Sequence, residues 1–154
     1  MATVLIALGS NVGRRRGFLE AALAALQAHP AIEVAAASSF IETEPVGGPP
    51  GQGLFLNAAA RLETTLEPEA LLGELKAIER RLGRRQGPRW GPREIDLDLL
   101  LWGDRTVETA DLVIPHPRLR ERRFVLEPLS QIAPDAVDPV TGRTVRQLLD
   151  DLKA

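Results

Sequence analysis

A chain of 154 residues is long enough for one domain with a single real core. Its 44% hydrophobic and 26% charged content is ordinary for a soluble protein, and a net charge of −2 argues against a nucleic-acid or membrane-surface binder, which carries a basic excess. The absence of cysteine excludes disulfides and thiolate metal sites; no apolar run reaches membrane-spanning length, and MATVLIALGS lacks the basic flank of a signal peptide. A cytoplasmic protein is expected.

Taken in order, Thr3 to Leu8 is a short aliphatic and β-branched run that reads as a first strand, closed by Gly9-Ser10-Asn11-Val12-Gly13. That closing segment has two glycines but neither the lysine nor the spacing of a Walker A loop, and a strand-to-helix turn accounts for it. Gly17 to His29 reads as a helix with Leu19, Leu23 and Leu26 on one stripe, ended before Pro30. Ile32 to Ile41 alternates roughly and reads as a second strand. The glycine- and proline-rich segment Glu44 to Gly53 reads as a functional surface loop. In the strand Leu54 to Leu62, Asn57 is the polar side chain at the centre, and a buried asparagine needs partners for both donor and acceptor.

Glu67-Pro68 opens a second helix and Gly83 closes it. Leu71, Leu75, Ile78 and Leu82 make its buried stripe, and Glu79 near its end reads as a solvated partner for the arginines that follow. Beyond Trp102 short strand pieces are expected between Arg105 and Val113, and the prolines of Ile114-Pro115-His116-Pro117 fix the backbone around His116. Arg118 to Ala133 reads as mainly helical with an interruption at Pro128, and the tail ends in a short helix from Thr144 to Leu152.

The stretch RWGPREIDLDLLLW, Arg89 to Trp102, carries the chemistry. If Ile95 to Trp102 is a strand, Asp96 and Asp98 point to the same face. Two adjacent carboxylates repel unless a cation sits between them, and Mg²⁺ takes oxygen ligands of this kind together with substrate phosphates. The basic residues are seventeen arginines against only Lys76 and Lys153. Genome composition or a heat-adapted host explains that total. It does not explain the cluster Arg80, Arg81, Arg84, Arg85, Arg89 and Arg93 just ahead of the aspartates, where planar guanidinium groups suit phosphate recognition.

The element order β-α-β-β-α-β predicts an α+β, ferredoxin-like antiparallel sheet with helices packed on one face, followed by short C-terminal strands and helices. A fold of this kind hosts many chemistries and names none.

The ordered set LIALGSN, FIETEPVG, FLNAAARLET, RWGPREIDLDLLLWG, IPHPRLRERRFVLEPL and IAPD resembles the 6-hydroxymethyl-7,8-dihydropterin pyrophosphokinase family nearly from end to end. The resemblance implies a single pyrophosphokinase domain over residues 1–154, an ATP- and Mg²⁺-dependent diphosphotransferase of folate biosynthesis that acts as a monomer. It implies that Asp96 and Asp98 hold two Mg²⁺ ions between ATP and the pterin hydroxymethyl oxygen. Arg84 and Arg93 would neutralise the polyphosphate; His116 and Arg122 would contact phosphates, with Glu79 near the nucleotide. Asn57 would read the pterin ring nitrogens, helped by the backbone near Thr43 and Val46. Phe55 and Phe124 would sandwich the ring, and Trp90 would close as part of a lid. The stretch from Arg84 to Arg89 is one residue shorter than in familiar members, Pro117 stands where an aromatic is common, and Val113 replaces a hydroxyl residue. An RNA-recognition module on a similar sheet would want exposed aromatics and a basic face, against 4% aromatic residues and no tyrosine here. A different Mg²⁺-dependent phosphotransferase is the closer rival, because the same aspartates and arginines would serve it.

Overall fold

A computed structural model describes residues 1–11, 13–44, 53–83 and 95–153. In chain order they form β1 (Ala2–Ser10), α1 (Arg15–Ala28), β2 (Ile32–Ala37), β3 (Ile41–Thr43), β4 (Phe55–Thr64), α2 (Pro68–Arg81) and β5 (Asp96–Trp102). A two-residue pair follows, β6 (Val107–Glu108) with β7 (Val113–Ile114), then a 3₁₀ turn (Leu119–Glu121), α3 (Arg123–Ile132) and α4 (Val145–Lys153).

The main sheet is antiparallel in the order β2-β4-β1-β5, with β3 continuing beside β4 where β2 leaves off. This is the ferredoxin-like arrangement expected from the element order. The period-2 pattern of the strands sends their residues to two different cores. Val4, Ile6 and Leu8 of β1, Ala58, Ala60 and Leu62 of β4, and Leu97 and Leu99 of β5 face α1 and α2. There they meet Leu19, Ala22 and Leu26 from α1 and Leu71, Leu75 and Ile78 from α2. Leu23, placed on the α1 stripe by sequence, is only half-buried.

On the opposite face Leu5, Ala59, Leu100 and Leu101 pack against the 3₁₀ turn, α3 and α4 through Leu119, Val125, Leu126, Leu129, Val145, Leu148 and Leu149. The β1–β5 register slips between Leu5 and Ile6, whose partners are Leu101 and Leu99, so Leu100 is an extra residue in β5. That bulge turns both Leu100 and Leu101 into the second core and returns Trp102 to the first.

Several boundaries differ from the sequence reading. Gly9 and Ser10 belong to β1, paired with Asn57 and Leu56, and are not part of a loop. The strand expected over Ile32 to Ile41 is broken into β2 and β3. Its ladder slips between Val34 and Ala36; then the Ser38 hydroxyl accepts the Ala59 N–H at 2.9 Å, while the Ser39 N–H and hydroxyl both donate to Gln131 Oε1. Serine side chains there compete with the ladder and end it. Pro128 does not interrupt α3; it lies buried inside a helix that continues to Ile132. The last helix starts at Val145 with Thr144 ahead of it. The Thr144 hydroxyl accepts the Gln147 N–H at 3.1 Å, and Gln147 Oε1 accepts the Thr144 N–H at 2.9 Å, a reciprocal capping box.

Candidate active site

The second face of the sheet is covered by α3 and α4 over only part of its extent, and the remainder carries the polar residues. Gly9 of β1 stands opposite Asn57 on one side and Asp96 on the other, and Ala7 stands likewise between Ala59 and Asp98. Directly paired residues share a face, so Asp96, Asp98, Asn57 and Phe55 all lie on this side, across a floor of Gly9, Ala7 and Ala59. Thr43 joins them from β3, opposite Phe55. Both aspartates are half-buried, whereas Leu97 and Leu99 between and beyond them are buried in the first core.

Asn57 is 7% exposed and its Nδ2 donates to the Thr43 hydroxyl. The far end of the amide turns toward β1: a Cβ placed on Gly9 would stand 2.9 Å from Asn57 Oδ1. Arg15 braces the neighbouring strand connections, donating to the Leu54 carbonyl at 2.9 Å and pairing with Glu42 at 3.0 Å. Asn11 donates to the Gly53 carbonyl at 3.3 Å.

Glu79 is not solvated. It is 4% exposed on α2, and its Oε2 accepts the backbone N–H of Leu97 at 2.8 Å, between the two aspartates in the chain. A buried carboxylate held by a charge-assisted hydrogen bond fixes the outer edge of β5 where Asp96 and Asp98 project.

The other side of β5 is built by the chain after β7. The His116 N–H donates to the Leu100 carbonyl at 3.0 Å, pinning the histidine to the strand just past Asp98. Its Nδ1 accepts the Arg118 N–H at 3.1 Å, so the neutral ring carries its proton on Nε2 and offers it as a donor. Burial, with Arg122 and Arg118 adding to it, pushes His116 down from 6.5 to about 4. Burial also lowers the Arg122 guanidinium, while the nearby Asp98 and Asp96 carboxylates act in the opposite direction, which places that cation in the field of both aspartates. Arg122 also lies over the Phe124 ring, 5.5 Å from its centre. Phe124 itself packs half-buried against the second core, on the same side of the sheet as Phe55.

The turn bearing His116 and Arg122 is anchored from behind. Asp138 is fully buried and accepts from Arg120 Nε and, at 3.1 Å, from Arg120 Nη2. It also accepts from the Thr141 hydroxyl at 2.8 Å and the Val140 N–H at 3.0 Å. Burial pushes the Asp138 carboxyl up, and these hydrogen bonds outweigh it and leave it below its ordinary range.

The model of the 7,8-dihydro-6-hydroxymethylpterin-pyrophosphokinase family matches residues 5–134, a span that runs from within β1 to the end of α3 and holds every site residue above except Asp138 and its partners Val140 and Thr141. The chain belongs to that family. It is 45% identical over 142 residues to the 2-amino-4-hydroxy-6-hydroxymethyldihydropteridine pyrophosphokinase of Bacillus subtilis, covering 92% of this chain and 84% of that one. The enzyme of the same name from Synechocystis is 43% identical, with 96% and 75% covered. Among solved structures, the fused HPPK-DHPS of Plasmodium falciparum with pteroate superposes with a TM-score of 0.77 at 15% identity. That likeness covers 97% of this chain and 42% of the fused one, and shows the shared fold.

Of the sequence-expected site residues, Thr43, Phe55, Asn57, Asp96, Asp98 and Phe124 are gathered on one side of the sheet, with His116 and Arg122 beside β5. Val46, Arg84, Trp90 and Arg93 lie outside the described residues, as do Arg85 and Arg89. Sequence reasoning missed Gly9 as part of the site. The alternation of LIALGS through Leu8 (inward), Gly9 and Ser10 was the signal that the strand continues there. Asp138, with its partner Arg120 eighteen positions earlier, left no local signal.

Proposed function

We propose that this chain transfers the pyrophosphoryl group of ATP to the hydroxymethyl oxygen of 6-hydroxymethyl-7,8-dihydropterin, releasing AMP, with two Mg²⁺ ions held through Asp96 and Asp98. Family membership supplies the reaction class: pyrophosphoryl transfer to hydroxymethyldihydropterin in folate biosynthesis. The observation that carries the residue-level reading is the register Asp96–Gly9–Asn57, which sets an oxygen donor pair and an amide reader on one face across a floor of glycine and alanine.

The residues present suit a hard divalent cation. Asp96 and Asp98 are carboxylates two positions apart on one strand face, half-exposed, with only glycine and alanine opposite them on β1. A Mg²⁺ site of this type uses one or two carboxylates and completes its shell with phosphates and water. Bound there, the metal supplies charge neutralisation and alignment of the attacking and leaving oxygens.

The chain's own residues account for the rest. Asn57, supported by Thr43 and the backbone near Val46, reads the heterocycle edge, and Phe55 and Phe124 flank the ring. His116, neutral with its proton on Nε2, donates to a phosphate oxygen without bringing charge. Arg122, Arg84 and Arg93 supply the positive charge, and Trp90 helps to exclude water. Glu79 holds the β5 backbone so that the aspartates keep their spacing. The pterin hydroxyl oxygen forms a bond to the β-phosphorus as the bond from that phosphorus to the α-phosphate oxygen breaks, so AMP leaves and the hydroxyl proton passes to solvent or a carboxylate. Phosphoryl-type transfer of this kind needs positioning and electrostatics more than a protein nucleophile.

The test is a nucleotide separation after incubation with ATP, Mg²⁺ and the pterin alcohol. AMP formed in step with pterin consumption is expected. ADP as the product, or AMP formed without pterin dependence, would overturn the assignment in favour of another phosphotransferase.

A further inference from the structure

We propose that Gly9 is a specificity-determining position: its missing side chain leaves room for the Asn57 amide to lie against β1, which sets where that amide meets the substrate ring. The inference rests on the pterin reading above and deepens it, by assigning recognition of the ring edge to a residue with no functional group.

A glycine inside a strand is ordinarily a liability, because it adds backbone entropy to the unfolded chain and packs nothing. Gly9 is not among the glycines with positive φ, so no backbone conformation demands it. The demand is spatial. A Cβ at this position would meet Asn57 Oδ1 at 2.9 Å, closer than real Cβ contacts, while its next neighbour, Phe55 Cδ1, would lie at an ordinary 3.7 Å. The backbone of β4 is farther still, with the Leu56 carbonyl oxygen at 4.0 Å. Among the described residues, a side chain here would therefore collide only with the oxygen end of the amide.

The opposite end of that amide is held independently. Asn57 Nδ2 donates to the Thr43 hydroxyl on β3, the far side of β4 from Gly9. The amide is thus strung across the sheet, nitrogen toward β3 and oxygen toward β1 and the aspartates of β5. Asparagine oxygen and NH₂ are nearly the same size and a hydroxyl can donate or accept, so the room at Gly9 sets where the amide lies, while the Thr43 contact holds its other end. A ring that places an N–H against the oxygen and an acceptor against the remaining N–H is matched. With the amide pushed aside by a side chain at position 9, the same ring would be left with an unpaired donor and an unpaired acceptor. Sites built on paired hydrogen bonds reject such mismatches far more strongly than apolar pockets do.

The variant Gly9→Ala tests this, with Gly73→Ala on the exposed face of α2, where nothing lies within 4 Å, as the control. Three quantities are read: the Asn57 side-chain amide signals in ¹H–¹⁵N spectra without substrate, the KM values for the pterin and for ATP, and the melting temperature. In Gly9→Ala the Asn57 signals are expected to move, and the KM for the pterin to rise about 10²-fold. The KM for ATP should stay within about twofold and the fold should melt as wild type does, because the added methyl meets only a side-chain end. Thr43→Val, which releases the nitrogen end, should raise the pterin KM about tenfold with ATP unaffected. Unmoved Asn57 signals, an unchanged pterin KM, or loss of the fold in Gly9→Ala would each overturn the proposal. Absence of pterin-dependent AMP release in the wild type would instead remove the functional reading, and the substrate-free spectra would still decide whether Gly9 holds the amide.

Discussion

The two faces of the main sheet are made by the same strands and do opposite work. On the helix-covered face, Leu8, Leu56, Leu97 and Leu99 are buried in one continuous aliphatic core under α1 and α2. One residue away along each strand, on the other face, stand Gly9, Asn57, Asp96 and Asp98. Alternation lets a single rigid element carry both, so that a buried aliphatic core lies directly behind the carboxylates. The second core, under α3 and α4, covers the far end of this face and stops short of the aspartates. The site is thus held from behind by packing and from the sides by hydrogen bonds, those of Glu79 and of the His116 turn.

Two neighbouring residues of β5 separate the two faces. Asp98→Ala removes a half-exposed carboxylate and leaves the leucine core untouched, so AMP formation should fall on the order of 10³-fold. The melting temperature should hold within a few degrees; near-normal turnover would take Asp98 out of the metal site. Leu99→Ala, next in the chain, does the reverse. It empties a side chain that is 4% exposed between the sheet and the helices, and should cost about 3 kcal/mol in denaturant unfolding. A loss below about 1 kcal/mol would mean that the core closes over the gap.

The strand pattern was largely legible in the sequence because alternation and the 3.6-residue stripe are local properties. Asp96 and Asp98 fall on one face from their spacing alone, and Leu71, Leu75 and Ile78 declare the buried side of α2. What escaped depends on partners distant in the chain. Glu79 looks like a surface charge among arginines until the Leu97 N–H arrives beside it. Ser38 and Ser39 end a strand that their neighbours would continue, because Ala59 and Gln131 offer them other hydrogen bonds. Asp138 sits in an unremarkable tail, yet four donors converge on it. Gly9 reads as a turn because its reason, the Asn57 oxygen, lies on another strand.

Protonation probes the edge of the polar face. His116 has its pKa near 4 in the folded chain against 6.5 when exposed, so between these values the unfolded chain binds more protons. The stability tied to its neutral form is complete above pH 6.5 and drains away as pH falls toward 4. Solvent at its open side screens part of the shift, and the expected loss is about 2 kcal/mol across that window. Comparing wild type with His116→Gln by urea unfolding at pH 7 and pH 4 isolates it. Parallel losses in the two proteins would show that His116 titrates like an exposed imidazole.

The packed face also carries a polar group. Ser10 follows Gly9 in β1, pairs with Leu56, and is fully buried, with its hydroxyl lacking a hydrogen-bond partner among the described residues. Asn57 on the site face has its donor satisfied by Thr43. A buried hydroxyl without a partner carries its desolvation cost and returns nothing, so trimming the hydroxymethyl group to a methyl removes that cost at the expense of a void one oxygen in size. Ser10→Ala should therefore unfold at the same denaturant midpoint or later, with a gain of up to about 1 kcal/mol and a melting temperature higher by about 2–4 °C at most. The pterin KM should not change, because the Ser10 side chain points away from the site. A destabilisation beyond about 1 kcal/mol would mean that the hydroxyl is paired after all, through a water buried behind β1.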